Sequence, residues 1–270
     1  MPIDSTGSTV GYASTAEIAI YDCDNGDRTE DVAFWRGLAH DYGRDQGVIE
    51  FGCGTLRLAL PIATDGIAVT ALDNSSGMLS IARRKLEGLP PSIHRLVVLR
   101  HGDMRDEQGI GAFGLAFIAF NTFALLTTQS ERVATLRALA NQLAPEGVGA
   151  VELMAVTQDQ VASMQDTVWR PYSHFVMPDG TEVLRESRRR YSAEDSLVHF
   201  TVRTRTTGTQ GSLPPEWMTY FQIHCFEPGE FQRTAEAAGL RVVEIWGDYQ
   251  RTQMSMLEGP PLTHIFLVAR

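Results

Sequence analysis

Two glycines and two carboxylates in the first third of the chain have the types and spacing of a nucleoside-binding site. The apolar run Val48–Phe51 delivers Glu50 to a turn that contains Gly52 and Gly54, and a helical pattern follows. Glycines in such a turn let the backbone approach a ligand closely and expose amide N–H groups at a helix N-terminus. Asp73 ends the next apolar run, where an acidic side chain in a doubly wound sheet accepts hydrogen bonds from ribose hydroxyls. The pattern therefore predicts a nucleoside-binding crevice.

Two classes of protein compete for this pattern: a nicotinamide-dependent oxidoreductase and an S-adenosylmethionine-dependent methyltransferase. The dinucleotide fingerprint requires a third glycine, which lets the helix pack closely on the strand, and this chain has Arg57 there. Glu50 would repel a pyrophosphate, because both groups are negative, whereas it suits the cationic amino group of a methionine moiety. Asp103, at the end of the third predicted strand, would then hold the adenine amino group. These features favour the methyltransferase.

The predicted strands and helices alternate around these residues, which indicates a parallel sheet with helices on both faces. Two amphipathic stretches within Ala16–Tyr42 precede the first strand. They carry Tyr21 and Trp35, which either lie over the ligand or pack on the sheet. The predicted strands are Gly47–Phe51, Ala68–Asp73, Leu96–Arg100, Leu115–Asn121 and Gly149–Met154, and the predicted helices are Leu56–Thr64, Ser76–Leu86 and Gln129–Leu143.

The pattern changes after Met154. From Phe175 to about Phe226 the residues alternate at period two, with Val198 and Phe200 on one face, and this predicts three or four antiparallel strands. A helix and two strands follow, at Glu227–Ala238, Arg241–Trp246 and His264–Ala269.

The fold class that follows is α/β, with a doubly wound, mostly parallel seven-stranded sheet (Rossmann-like) and an antiparallel β insertion after strand five. We assign residues 1–155 and 226–270 to the cofactor-binding domain and residues 156–225 to the insertion. The insertion is expected to roof the acceptor pocket or to pair two subunits as a homodimer.

Composition and charge limit the classes of partner. The apolar content of 43% and the charged content of 21% are ordinary for a globular protein, and a net charge of -10 argues against a general nucleic-acid-binding surface. Neither a membrane span nor a secretory leader is evident. The three cysteines show no zinc-site or disulfide pattern, so no metal is expected. We expect a cytoplasmic location.

Four segments together resemble successive motifs of the class I S-adenosylmethionine-dependent methyltransferases, in the branch that acts on small molecules. They are Val48–Thr55, Ala71–Leu86, Gly102–Asp106 and Leu143–Gly147, and the resemblance runs from about residue 20 to residue 155. Many members have a further glycine near position 56, whereas this chain has Leu56 followed by Arg57.

The resemblance implies a set of cofactor-binding residues. Gly52, Cys53 and Gly54 would pass under the methionine portion of S-adenosylmethionine, and Asp73 would hold its ribose. The remaining implied positions are Asn74 and Met78 beside the adenosine, Asp103 and Met104 around adenine, Phe120 and Asn121 on the other side, and Tyr21 as a cover.

A catalytic base is harder to identify. Methyl transfer from a sulfonium releases a neutral leaving group, so holding the acceptor in line does most of the work. In related sugar-amine dimethyltransferases a histidine follows the fourth strand, and the corresponding place here holds Leu125. Tyr220 and His224 are four residues apart, so they share a strand face. We name them as candidate catalytic residues, with a structural role as the alternative.

We therefore expect an S-adenosylmethionine-dependent methyltransferase that moves a methyl group to nitrogen or oxygen of a small-molecule acceptor in specialised metabolism and leaves S-adenosylhomocysteine. Two alternatives stay open. One is a non-methylating protein that uses the same fold as a scaffold or for another reaction, and the other is a nicotinamide-dependent oxidoreductase.

Overall fold

A computed structural model describes residues 14–106, 111–155, 160–161, 164, 168–207, 213–257, 260–261 and 263–270. The chain divides into two compact units, which are described separately. The first unit comprises Thr29–Ala155 and Phe226–Arg270, and the second combines the described residues up to Arg28 with those of Val156–Cys225. The predicted boundaries of the two domains remain a prediction.

The first unit is built on a seven-stranded sheet in the part of the chain that the structure describes. The strands are β1 (Val48–Phe51), β2 (Val69–Asp73), β3 (Val97–His101), β4 (Phe113–Ile118), β5 (Leu143–Met154), β10 (Arg241–Trp246) and β11 (Thr263–Ala269). Their order is β10-β11-β5-β4-β1-β2-β3, with β1 to β5 parallel and β11 antiparallel to both β5 and β10. This arrangement confirms the predicted fold class. The order reverses between β1 and β4, where the carboxyl ends of the strands form a ligand crevice in doubly wound sheets.

The helices that cover the sheet are α2 (Val32–Tyr42), α3 (Ala59–Thr64), α4 (Ser76–Glu87), α5 (Pro91–His94), α6 (Gln129–Gln142) and α7 (Glu230–Ala237). All of them except α5 bury apolar side chains. Trp35 of α2 is fully buried and stacks on Phe117 of β4, with ring centroids 4.9 Å apart. It therefore packs on the sheet, as the structural alternative predicted. Thr128 and Glu131 form a capping box that fixes the start of α6.

Left-handed backbone conformations explain two of the differences between the predicted and the observed element bounds in this unit. The fourth strand was expected to reach Asn121, but β4 ends at Ile118 because Phe120 and Asn121 are left-handed, with φ of 54° and 61°. The first helix after β1 was expected to begin at Leu56, but α3 begins at Ala59. The φ of Leu56 is 73°, which is incompatible with a right-handed helix.

The second unit is a four-stranded antiparallel sheet with helix α1 (Thr15–Asn25) packed on it. The strands, in the order β6-β7-β8-β9, are β6 (Arg170–Val176), β7 (Glu182–Ser192), β8 (Leu197–Thr207) and β9 (Glu216–His224). The predicted insertion of antiparallel strands after β5 is therefore confirmed.

A buried ion pair attaches α1 to this sheet. Arg185 of β7 donates to Glu17 at 2.8 Å and also bonds Asp24, and all three side chains are buried. Thr219 and the indole N–H of Trp217 donate to the other oxygen of Glu17, at 2.7 and 2.8 Å. The helix is thereby held by charge-assisted hydrogen bonds in addition to apolar contact.

A search of the described residues for a helix that is long and apolar enough to cross a membrane finds none.

Candidate active site

The turn after β1 is held open by backbone conformations that favour glycine. Gly52 and Gly54 have φ of 77° and 53°. The amides of Gly52 and Cys53 both donate to the carbonyl of Leu72 on β2, at 2.8 and 3.0 Å. A methyl group at Gly52 would lie 2.7 Å from Cγ2 of Thr122, so the chain following β4 packs directly on this turn. A larger side chain at position 52 would force the two segments apart.

Asp73 joins the ends of β1 and β2. Its Oδ2 accepts the amide of Gly54 and its Oδ1 accepts the amide of Ser75, both at 2.8 Å. Burial raises the pKa of this carboxyl, and the two amide hydrogen bonds oppose the rise. A carboxylate offers about four acceptor positions, so the two amides leave capacity for ribose hydroxyls.

Glu50 is a buried carboxyl, and one of its oxygens accepts no hydrogen bond from the described residues. The side chain is 4% exposed, and its Oε2 has no hydrogen-bond partner among the described residues. Burial raises the pKa of Glu50 to about 8, although Arg57 and the amide of Ala59 favour its ionised form. An orphaned acceptor of this kind costs stability until a donor reaches it. The cationic amino group of S-adenosylmethionine has the charge and the donors that this oxygen lacks, so the residues present fit that cofactor.

Arg57, which follows the glycine turn, connects three segments of the first unit. Its two terminal nitrogens donate to the two carboxylate oxygens of Asp31 at 2.6 and 2.7 Å, in a nearly buried bidentate pair. Its guanidinium also lies over the ring of Phe120, 4.8 Å from the centroid. Sequence reasoning used Arg57 only as a missing glycine and did not find Asp31. Their contact spans 26 positions and carries no local signal.

Phe120 and Asn121 lie at the carboxyl end of β4, as predicted, in a left-handed turn (the 120–121 turn). The amide of Phe120 donates to Oε2 of Glu152 on β5 at 2.7 Å, and the side chain of Asn121 accepts the amide of Met154 at 3.0 Å. Glu152 also accepts the hydroxyl of Tyr249 at 2.5 Å. Burial raises the pKa of Glu152, and the bonds from Tyr249 and Phe120 oppose the rise.

Sequence reasoning missed Glu152. The available signal was a carboxylate inside the apolar strand Gly149–Met154, because such a residue is buried only when it is paired.

The predicted adenine and adenosine residues follow β2 and β3. Asn74 is exposed, and Met78 is buried on α4, with its amide capped by Ser75. Met104 is half-buried. Asp103 pairs with Arg105, at 2.6 Å between Oδ2 and Nη2, and Arg105 lowers its pKa. Asp103 is thus held ionised in this turn, and the cofactor roles of these four residues remain predictions.

The other predicted residues lie in the second unit. Tyr21 is half-buried on α1. Tyr220 and His224 lie on β9, opposite Thr201 and Leu197 respectively, so they share a face of the antiparallel sheet. Tyr220 is half-buried and His224 is buried. The cofactor-covering role of Tyr21 and the catalytic roles of Tyr220 and His224 remain predictions.

Two further predictions concern the chemistry of the site. Leu125, in the place of the sugar-amine enzymes' histidine, lies in a 3-10 helix (Thr122–Leu125) and is 43% exposed. Within the described ranges no group of three or more histidine, cysteine, aspartate or glutamate side chains is arranged to hold a metal ion.

Comparison with known proteins gives consistent matches. The family model of a methyltransferase domain matches residues 48–147. A dTDP-3-amino-3,6-dideoxy-alpha-D-glucopyranose N,N-dimethyltransferase from Streptomyces fradiae is 32% identical over 195 residues, which are 72% of this chain and 70% of that protein. The cypemycin N-terminal methyltransferase from Streptomyces sp is 27% identical over 202 residues, which are 75% of each chain.

Solved structures share the fold. CalS10, an amino pentose methyltransferase from Micromonospora echinaspora solved with S-adenosylmethionine bound, aligns with a TM-score of 0.63 and 22% identity over 88% of each chain. The family-model match on this chain spans the turn after β1 and the ends of β2, β3 and β4.

Proposed function

The chain belongs to the class I S-adenosylmethionine-dependent methyltransferases, and we propose that it methylates a nitrogen of a small molecule in specialised metabolism. The main support for S-adenosylmethionine as the methyl donor is the buried oxygen of Glu50, which lies beside the turn of Gly52 and Gly54 and has no hydrogen-bond partner among the described residues. Nitrogen is favoured as the acceptor because the Streptomyces fradiae relative is named for N,N-dimethylation of an amino sugar and the cypemycin relative for N-terminal methylation.

Each residue of the first unit has a distinct part in this proposal. S-adenosylmethionine, when bound, supplies an electrophilic methyl group on a sulfonium. Glu50 accepts a hydrogen bond from the amino group and balances its charge. Asp73 accepts hydrogen bonds from the ribose, and the glycine turn permits close approach of the backbone. An uncharged amine needs no base before it attacks, so orientation supplies most of the acceleration.

The role of Asp73 is tested by isothermal titration with S-adenosylhomocysteine. Asp73→Ala is expected to weaken binding by about tenfold or more, because a bond to a charged acceptor contributes about 1.5–3 kcal/mol. Asp73→Asn keeps one acceptor for the amides that Asp73 binds. Comparison of the two variants shows whether affinity is lost through the ribose hydrogen bonds or through a disturbed backbone turn. Asp45→Ala, at an exposed position, is the matched control. Unchanged affinity in both Asp73 variants would overturn the assignment.

The acceptor class is tested by incubation with radiolabelled cofactor. A panel pairs amino sugars and peptides with free N-termini against analogues that carry a hydroxyl in place of the amine. Labelling of the amines alone supports the proposal, and labelling of the hydroxyl compounds alone would replace nitrogen by oxygen. A thermal-shift response to S-adenosylhomocysteine without transfer to any acceptor would favour the non-methylating alternative, and a response to NADH alone would favour the oxidoreductase.

The remaining predictions concern the second unit and the cellular context. Tyr220→Phe and His224→Ala should lower turnover without changing cofactor affinity if either residue serves the acceptor, and unchanged turnover in both would remove them as catalytic candidates. Pairing of two copies, through the antiparallel sheet or otherwise, is tested by sedimentation equilibrium. The cytoplasmic location stays a prediction.

A further inference from the structure

The 120–121 turn is strained and is held by two hydrogen bonds to β5. Two consecutive non-glycine residues, Phe120 and Asn121, have positive φ, a conformation that persists only where its surroundings over-determine it. The backbone pairing of β4 with β5 ends at Ile118 and Val151. Beyond that point, the bonds of Glu152 to the amide of Phe120 and of Asn121 to the amide of Met154 replace the ladder.

Glu152 is itself fixed on both oxygens. Its Oε2 accepts the amide of Phe120, and its Oε1 accepts the hydroxyl of Tyr249 at 2.5 Å. The hydroxyl of Thr263 lies 3.4 Å from Oε1 and donates to the carbonyl of Leu153 at 2.9 Å. The side chain is 5% exposed. A buried carboxylate with a donor on each oxygen holds its geometry tightly in a low-dielectric interior, because losing one donor leaves a charge without compensation.

The hydrogen bonds of Glu152 to Phe120 and Tyr249 (the clamp) also affect the turn that contains Gly52 and Gly54. The residue that follows the 120–121 turn is Thr122, whose methyl group fits against Gly52 so closely that a Cβ there would lie 2.7 Å away. Arg57, fixed by its bidentate bond to Asp31, supports the same turn from the ring face of Phe120. The 120–121 turn is thus held between Gly52 on one side and Glu152 on the other.

We propose that Glu152 is a positioning residue for methyl transfer. Its carboxylate holds the 120–121 turn in the left-handed conformation in which Thr122 packs on Gly52, and so sets the wall of the crevice at the end of β4. It touches neither cofactor nor acceptor in this role, and Tyr249 acts through it. The inference rests on the proposed function, because the consequence of the clamp is measured as turnover.

The first test measures how firmly the 120–121 turn is held and does not depend on turnover. Hydrogen exchange with S-adenosylhomocysteine bound is followed by mass spectrometry in peptides that cover residues 119–125 and in peptides that cover β1. In Glu152→Leu we expect exchange in 119–125 to accelerate by about tenfold while exchange in β1 is unchanged. Unchanged exchange in 119–125 would overturn the clamp, whatever the protein does catalytically.

The second test separates positioning from folding. Turnover is expressed per cofactor-binding site, counted by titration with S-adenosylhomocysteine, so that unfolded molecules do not contribute. Glu152→Leu should lower kcat per site by about tenfold or more, with a dissociation constant that changes by less than about threefold. Val268→Ala, a core truncation in β11 of the same sheet, is the control for lost stability and should leave kcat per site unchanged.

Conservative variants keep the test informative if Glu152→Leu does not fold. Glu152→Gln retains an acceptor for Phe120 and a donor for the oxygen of Tyr249, so it should restore kcat per site to within about threefold of the wild type. Tyr249→Phe should give an intermediate loss. Faster exchange with an unchanged kcat per site would refute the positioning role of Glu152. A wild-type protein that turns over no acceptor would refute the proposed function, and the hydrogen-exchange result would then be the test of the clamp.

Discussion

Glu50→Gln should stabilise the ligand-free protein near pH 8 and weaken its affinity for S-adenosylhomocysteine. The glutamate is buried, one of its oxygens has no partner among the described residues, and its pKa is raised to about 8 by burial. A folded-state pKa above the ordinary value means that the folded protein binds the proton more tightly than the unfolded chain. Stability from this group is therefore full below the ordinary pKa of 4.5 and is lost as the pH rises towards 8.

The magnitude follows from the size of the shift. Each unit of pKa difference corresponds to about 1.4 kcal/mol, so the pKa of Glu50 corresponds to a cost on the order of 4 kcal/mol near pH 8. The amide of glutamine carries no charge but leaves one polar group unsatisfied, which costs about 1–2 kcal/mol. The free energy of unfolding of the variant should therefore exceed that of the wild type by about 2–3 kcal/mol at pH 8, and the variant should show no advantage at pH 5.

Affinity should move in the opposite direction. Removing a charge-assisted hydrogen bond of about 1.5–3 kcal/mol weakens binding of the cationic amino group by about 10- to 100-fold. Because the wild-type carboxyl is largely protonated at pH 7, binding of the ammonium should release a proton, and titration in buffers of different ionisation enthalpy measures this release. The glutamine variant should release none at this site.

Denaturant unfolding without ligand, between about pH 5 and pH 8, gives the stability difference. A variant that is no more stable than the wild type at pH 8 would refute the assigned cost of ionisation. A variant with unchanged affinity and unchanged proton release would refute the contact between Glu50 and the amino group.

Two further substitutions test the packing of each unit. Gly52→Ala should weaken S-adenosylhomocysteine binding by about tenfold or more in a titration, because the new methyl would meet Thr122 at 2.7 Å; Gly66→Ala, which has a similar φ of 86° and open space around it, is the control for backbone strain alone. Arg185→Met should lower the free energy of unfolding by about 3–5 kcal/mol, because it strands two buried carboxylates of α1. Arg36→Met should cost much less, because the half-exposed pair of Arg36 with Asp65 is screened by solvent. Equal losses from the two variants would contradict the buried pair.

The grouping of Glu50, the two glycines and Asp73 at one edge of the sheet was predictable because its signals are local. Glu50, the glycines and Asp73 follow strand patterns that can be read within a few residues, and the carboxyl ends of adjacent parallel strands meet at one edge of a sheet. Two spacings along the chain were therefore enough to place these groups together. The hydrogen bond from the amide of Gly54 to Asp73 shows that the ends of β1 and β2 do meet there.

The supporting residues could not be predicted because their contacts are long-range. Glu152 reaches Phe120 across 32 positions, and Arg185 reaches Glu17 across 168 positions. Such pairs depend on strand register and on the packing of elements, which a single sequence does not encode in any short window. The left-handed turn after β4 was missed for the same reason, since Phe120 and Asn121 have no local feature that forbids a continued strand.

Glu50 and Glu152 are almost equally buried but differ in their hydrogen-bond partners, and we expect this difference to distinguish a cofactor-binding carboxyl from a supporting one. The two carboxyls are 4% and 5% exposed, but Glu152 receives donors on both oxygens whereas Glu50 has an oxygen without one among the described residues. Neutralising each to glutamine should therefore give opposite signatures. At Glu152 the amide keeps the clamp and cofactor affinity stays within about threefold, whereas at Glu50 affinity falls by about tenfold or more while stability near pH 8 rises. A common response at both positions would mean that burial alone governs these carboxyls, and the distinction between ligand-binding and supporting glutamates in this crevice would fail.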